Sequence, residues 1–215
     1  MRTATPALPL PAPIELAPPS HEGSLSVLGA LHARRTIREF RAAPLTHQQL
    51  ANLLWAACGI NRPSGPYGVA GRTAGSASNS QEIDIYVALA DGIYRYDAAL
   101  SQLLPVVAGD FRFTAISAGQ RGMIAKAPVQ LIYVVDVDRL VHTRGYQEPG
   151  LTDPEVQKAY YYVDVGLIAE NVYLFAAATG LAAWFHNCDR AAFAEHLKLR
   201  PQQRVLFAQS VGHPA

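Results

Sequence analysis

The chain has 215 residues, half of them apolar and only 16% charged, against about a quarter charged in an ordinary soluble domain. Its 18 basic and 17 acidic side chains leave a formal charge of +1. That balance excludes both the basic footprint of a nucleic-acid binder and the like-charge excess of a disordered acidic protein. Three of the basic residues are Lys and the rest are Arg. Arg suits planar recognition of phosphate and carboxylate, and a GC-rich genome produces the same bias.

Residues 1–23 read as a Pro-rich arm and residues 24–215 as the folded domain. The arm cannot supply regular hydrogen bonds and is expected to lie extended along a surface. Its broken apolar pieces lack the continuous core of a secretory signal, so a cytoplasmic protein is expected. Ser24 is a candidate cap for a first helix reaching about Ala33. A second helix follows Pro44, with Thr46 and Gln49 as a capping box and Gly59 as its stop. Leu50, Leu53, Leu54 and Ala57 form its apolar stripe. Asn61 to Ser80 shows no periodicity, and a loop of that length in a compact domain is usually functional or disordered.

Ile83–Leu89 alternates as a strand, Asp91-Gly92 is a hairpin signal, and Ile93–Tyr96 is the return strand. A helix is predicted over Thr114–Ala125, before Pro128. The continuous apolar run Val129–Val135 reads as a strand buried on both faces. Asp153-Pro154-Glu155 starts a long helix that stops at Gly180. The stretch Val163 to Phe185 is long enough to span a bilayer, but Asp164, Glu170 and Asn171 argue for a buried helix and against a membrane. Because it is apolar nearly all round, this helix is expected to be wrapped on all sides. Asp189 caps a short helix to Leu197, and Arg204–Val211 is the last strand. These elements predict an α+β domain whose central sheet of four or five strands is crossed by one long helix.

Several chemistries lack their sequence signatures. There is no Gly-x-Gly and no Gly-Lys pair, so neither a Rossmann fingerprint nor a P-loop is present. His-Glu-x-x-His is missing, the seven histidines are scattered, and no metal site is expected. No serine sits in Gly-x-Ser-x-Gly. Cys58 and Cys188 have no Cys-x-x-Cys spacing and read as small core residues. An enzyme built on this chain is therefore expected to borrow its chemistry from an organic cofactor.

Two segments carry candidate binding chemistry. In Arg34-Arg35-Thr36-Ile37-Arg38-Glu39-Phe40, Arg34 and Arg38 are four apart and with Thr36 suit a phosphate; the same spacing also suits a solvated basic helix end. In Gly75-Ser76-Ala77-Ser78-Asn79-Ser80-Gln81-Glu82, small residues allow close backbone approach to a flat ligand. Asn79 and Gln81 there offer amide pairs for a pyrimidine-like edge, and the segment equally suits an ordinary polar loop.

Together and in this order, the segments resemble the nitroreductase family of FMN flavoproteins, over about Gly29 to Pro214. The first segment is similar to the family's Arg-Arg-Ser-x-Arg-x-Phe and the second to its Pro-Ser-x-x-Asn-x-Gln. The helix ending in Ala-Ala-Ala-Thr-Gly-Leu and the terminal Ser-Val-Gly-His-Pro resemble two further landmarks. Leu53–Ile60 and Asp91–Tyr96 look closest to the branch that includes the SagB-type azoline dehydrogenases.

The resemblance implies a mostly antiparallel sheet, an obligate homodimer and FMN sites at the subunit interface. Arg34, Arg35, Thr36 and Arg38 would hold the phosphate and ribityl end, with Arg204 a further candidate for an anionic neighbour, and Asn79 and Gln81 would reach the flavin ring. Ser76, Ala77 and Ser78 would come from the partner subunit. Phe185, His186 and Asn187 match a stretch whose backbone approaches flavin N5. The implied activity is ping-pong, two-electron reduction of a nitroaromatic, quinone or similar small-molecule acceptor by NADH or NADPH. The alternatives are FMN-dependent oxidation of an azoline-containing peptide, or flavin binding without turnover. Gly75 stands where the family has Pro, Thr36 replaces Ser, and Asn187 or Cys188 stands where a Gly is expected. No Lys or Arg follows the last strand, so phosphate binding is expected to rest on the first arginine cluster.

Overall fold

The computed structural model describes residues 8–20, 25–115, 120, 126–146 and 151–215. Its helices are α1 (Val27–Ala33), α2 (His47–Cys58), α3 (Val137–Val141), α4 (Pro154–Thr179) and α5 (Arg190–His196). Its strands are β1 (Ile14–Glu15), β2 (Ile60–Arg62), β3 (Gly71–Arg72), β4 (Ile83–Ala88), β5 (Gly92–Asp97), β6 (Gln102–Ala108), β7 (Val129–Asp136), β8 (Ala182–His186) and β9 (Gln203–Gly212). Seven strands form one sheet in the order β1-β6-β5-β4-β7-β9-β8, and every neighbouring pair is antiparallel. The sheet is wider than the four or five strands expected.

Local signals set the helix ends. Thr46 Oγ1 accepts from Gln49 N at 3.1 Å and Gln49 Oε1 accepts from Thr46 N at 2.8 Å, closing the capping box of α2. Asp153 accepts from Glu155 N to start α4, and Gly180 ends it with φ of 72°, a left-handed cap that glycine adopts without strain. α1 is capped by Ser26 Oγ, which accepts from Gly29 N at 3.1 Å. Ser24, the expected cap, lies outside the described residues, as does most of the helix predicted over Thr114–Ala125; Arg112–Ala115 forms a 3-10 turn.

The sheet has a core on each face, and alternation divides each central strand between them. Ile83, Ile85 and Val87 of β4 pack with Leu53, Leu54, Val172 and Ala176 of α2 and α4. Tyr86 and Ala88 pack with Trp184 and with Phe193 of α5. The alternation in β4 therefore separates two interiors rather than core from solvent. Tyr133 on β7 donates to Gln209 Oε1 at 2.6 Å, and Gln209 Nε2 donates to Ala169 O at 3.2 Å, fixing the sheet against α4.

The arm touches the domain as expected but also contributes a strand. Ile14 and Glu15 pair with Leu103 and Gln102 of β6, and a ring nitrogen of His47 bonds to Glu15 O. The segment 61–80 is more structured than its composition implies, since β2 and β3 form a small hairpin within it. α4 is not wrapped on all sides. Val163 and Leu167 are 60% and 45% exposed, and with Gly166 and Glu170 they make one open stripe at helical spacing. Beside it, α1 turns Val27, Leu28 and Leu31 outward. Among the described residues no helix is long and apolar enough to cross a membrane.

Candidate functional site

The arginine segment leaves the helix before its chemistry begins. α1 ends at Ala33, and Arg34 has φ and ψ of −58° and 125°. Residues 34–39 run on without helix, anchored by Ile37 N to Ala183 O (3.0 Å) and Arg41 N to His213 O (2.9 Å). The segment thus lies against β8, the edge strand of the sheet. Helical spacing is not what relates Arg34 to Arg38, because the chain has left the helix before both.

Tyr173 of α4 organises this place and was not recognised in the sequence. Its hydroxyl lies 3.2 Å from Thr36 Oγ1 and accepts from Phe185 N at 2.8 Å. The Arg34 guanidinium sits 5.6 Å from the Tyr173 ring centroid. Arg38 is set further along, 5.3 Å from the Trp184 centroid. Arg34 reaches Glu170 only at 3.9 Å with both groups well exposed, and no described carboxylate pairs with Arg35 or Arg38. A cationic strip thus remains largely unneutralised on the edge strand.

Phe185, His186 and Asn187 follow directly along β8. Only the first faces Tyr173. His186 is buried on the opposite face, one ring nitrogen 2.8 Å from Ser210 Oγ and the other 2.6 Å from Asn187 O. Burial pushes its pKa below the ordinary histidine value, which favours the neutral ring. Asn187 Oδ1 accepts from Arg190 at 2.7 Å. Arg204 does not join the cluster: it pairs with Val135, seven residues before Val211, whose partner is Ala183. At about 3.4 Å per residue that is roughly 24 Å away.

The second segment lies elsewhere. Ala77 N donates to Asp164 Oδ2 on α4 at 2.8 Å. Asp164 and Tyr173 are nine positions apart, so they lie about 13 Å apart along the axis and on opposite sides of the helix. One chain alone therefore does not bring the two segments together. Asn79 and Gln81 spend their amides within the loop. Asn79 Nδ2 donates to Pro66 O and Val69 O; Gln81 Nε2 donates to Ala70 O and Asn79 Oδ1, while Arg72 donates to Gln81 Oε1 at 2.6 Å. Ser78, Asn79 and Gln81 all have positive φ, between 51° and 56°. Glycine is not demanded at position 75, where an added Cβ would meet only Leu167, at 3.8 Å.

Under this loop sits a buried carboxyl pair. Glu82 is fully buried, Ser80 Oγ donates to its Oε2 at 2.5 Å, and its Oε1 has no partner in the ionised state. Burial, and then the hydrogen bond to Glu82, push the Asp164 carboxyl up to about 8. A proton on Asp164 turns the contact with Glu82 from like-charge repulsion into a hydrogen bond. The folded state then binds a proton that the unfolded chain, with its ordinary value of 3.8, releases. This contribution to stability is therefore fully present at low pH and is lost as pH rises from about 4 to about 8. Asp164→Asn keeps an acceptor for Ala77 N and a donor for Glu82 at every pH. The melting temperature of this variant minus that of wild type is expected to increase across that window, as followed by circular dichroism.

Both thiols are inert by environment, with burial pushing Cys58 and Cys188 up to about 11.

A seven-stranded antiparallel sheet crossed by one long helix, with a cationic strip on its edge strand, defines a small α+β protein whose family relations give it the class of an oxidoreductase. The sequence profile of the nitroreductase family matches residues 31–213, and the chain belongs to that family. A nitroreductase-family protein of Methanocaldococcus jannaschii is 30% identical over 155 residues, covering 69% of this chain and 71% of that one. The crystal structure of a nitroreductase-family protein from Ralstonia eutropha has a TM-score of 0.81 and 30% identity, covering 99% of this chain and 96% of its own. The NADPH:FMN oxidoreductase of Vibrio harveyi, solved with NAD+, has a TM-score of 0.59 at 23% identity, over 87% of this chain and 68% of its own.

Proposed function

We propose that the protein is a homodimeric, FMN-dependent oxidoreductase that carries two electrons from NADH or NADPH to nitroaromatic, quinone or similar small acceptors. The observation that carries this reading is the unneutralised arginine strip on the β8 edge, next to the Thr36 hydroxyl that Tyr173 holds in place. Arg34, Arg35, Thr36 and Arg38 suit a phosphate with its polyol chain, because guanidinium groups give charge-assisted hydrogen bonds and no described carboxylate competes strongly for them. Backbone from Phe185 to Asn187 would flank the ring, and the Tyr173 hydroxyl holds Phe185 in place.

Ser76, Ala77 and Ser78 would complete the site from a second copy, which agrees with their position on the far side of α4. Asn79 and Gln81 act by shaping that loop. Bound FMN would supply the hydride-accepting and electron-donating chemistry; the chain binds it, orients it and places neutral groups behind it. In support, the Vibrio protein that shares the fold is named an NADPH:FMN oxidoreductase.

The test is anaerobic rapid mixing of the FMN-loaded protein with each nicotinamide, followed by a nitroaromatic or quinone. The flavin absorbance is expected to bleach with at least one donor and to return with the acceptor. A protein that stays colourless with added FMN would overturn the proposal. A bound flavin bleached by neither donor would leave flavin binding without turnover.

A further inference from the structure

Six described residues other than glycine have positive φ, and four of them, Tyr67, Ser78, Asn79 and Gln81, gather round one cavity. Backbone held in this region by its surroundings is concentrated at ligand sites. The cavity has a volume of about 320 Å³, within the range of small-molecule sites. Three arginines from separate segments line it: Arg72 of β3, Arg139 of α3, and Arg144 just beyond α3. No aspartate or glutamate shares the lining.

The charges are incompletely answered. Arg139 pairs with Asp84 at 2.9 Å, yet its buried Nε has no partner. Arg72 donates only to neutral oxygens, Gln81 Oε1 and, at 3.1 Å, Cys58 O. Arg144 is exposed, and no described residue bonds to it. Tyr67 and Val69 give the same cavity an apolar wall, both about half exposed. Thr143 and Ser78 add hydroxyls.

We infer that this cavity recognises the acid group of the electron acceptor, an aromatic molecule bearing a carboxylate or phosphate. The acid would meet Arg72, Arg139 and Arg144, and the ring would lie along Tyr67 and Val69. This deepens the functional reading above and rests on it, because Ser78 and Asn79 belong both to the cavity and to the loop assigned to the flavin site. The 2′-phosphate of NADPH has the same chemistry, so donor and acceptor must be told apart by experiment.

The probes are 4-nitrobenzoate and its uncharged counterpart 4-nitrobenzamide, which present the same nitro group. Calorimetric titration of the oxidised, FMN-loaded protein reads binding without turnover, and steady-state assays then read kcat/KM. The carboxylate is expected to be favoured by about tenfold in both, as a charge-assisted contact implies, and less so in high salt. Arg144→Gln is expected to bring the ratio towards one, Arg144→Lys to retain part of it, and Arg144→Glu to reverse it. Arg144 makes no bond within the described fold, so these variants leave folding intact. The ratio of NADPH to NADH activity is expected to stay constant through the series.

Equal binding of the two probes by wild type would overturn the inference, as would a ratio unchanged in Arg144→Gln. A loss confined to NADPH would assign the anion to the donor and overturn it equally. Should the protein take up no FMN, the functional reading fails on its own, and titration of the isolated chain still reads the carboxylate preference.

Discussion

Aspartate at both Val163 and Leu167 is expected to give a folded monomer that does not retain FMN, whereas the proposed function has the wild-type chain dimeric and FMN-bound. The two side chains are one turn apart on the open stripe of α4, with Gly166 between them, where an added Cβ would touch nothing within 4 Å. Leu28 and Val27 of α1, 78% and 72% exposed, extend the same apolar surface. Such a face is costly in water and matches the apolar character of an obligate interface. A buried aliphatic side chain is worth about 1.5 kcal/mol or more. Two residues lost from each of two copies remove roughly 6 kcal/mol, about four orders of magnitude in the dimer dissociation constant. Neither side chain contributes to the buried core, so the fold itself is expected to survive. Sedimentation velocity with far-ultraviolet circular dichroism checks both halves. A variant that stays dimeric, or a wild type already monomeric at micromolar concentration, would refute the interface.

The second large effect concerns the phosphate. Arg34→Ala combined with Arg38→Ala is expected to raise the FMN dissociation constant by two to four orders of magnitude. A hydrogen bond to a charged group contributes about 1.5–3 kcal/mol, and two such contacts are removed. Riboflavin, which lacks the phosphate, is expected to bind wild type and variant within a few-fold of each other. Flavin fluorescence titration reads both ligands. Equal weakening of both would show that the arginines act through packing, with Arg38 on Trp184 and Arg34 on Tyr173. FMN binding unchanged by the double substitution would place the phosphate elsewhere.

The signals that predicted structure well are those whose cause is local. The Thr46–Gln49 box, the Asp153-Pro154-Glu155 start, the left-handed Gly180 and the Asp189 cap each satisfy backbone groups within a few residues, so they read directly from the chain. Asp91-Gly92 joins β4 to β5 for the same reason. The missed strands depend on distant partners. β6 carries Pro105, which ordinarily argues against a sheet interior. Pro105 is tolerated because it lies beside the register shift in β5, and β1 covers only residues 102 and 103. β8 has no polar alternation, since Trp184 and Phe185 pack into cores on opposite faces.

The candidate site divides along the same line. Both binding segments stand out in the sequence as an arginine run and a small-residue polar loop. Their placement does not: the arginines become extended and lie on the edge strand, and α4 holds the loop on its other side. Tyr173 carries no motif of its own, although its hydroxyl joins Thr36 to β8. Arg72, Arg139 and Arg144 are scattered over some seventy positions, with nothing in their spacing to connect them.

By itself, the sequence determined the ends of the second and of the long helix, the central hairpin and the family, because each rests on short-range hydrogen bonding or on motifs contiguous in the chain. It also posed a question, in being half apolar with little charge to cover its surface. Only the tertiary structure decided which apolar residues go inside. Two cores, one on each face of the sheet, absorb most of them, while Val27, Leu28 and Leu31 of α1 and Val163 and Leu167 of α4 stay open to the outside. Burial depends on what packs against a residue, and that neighbour is set by the fold rather than by the adjoining sequence.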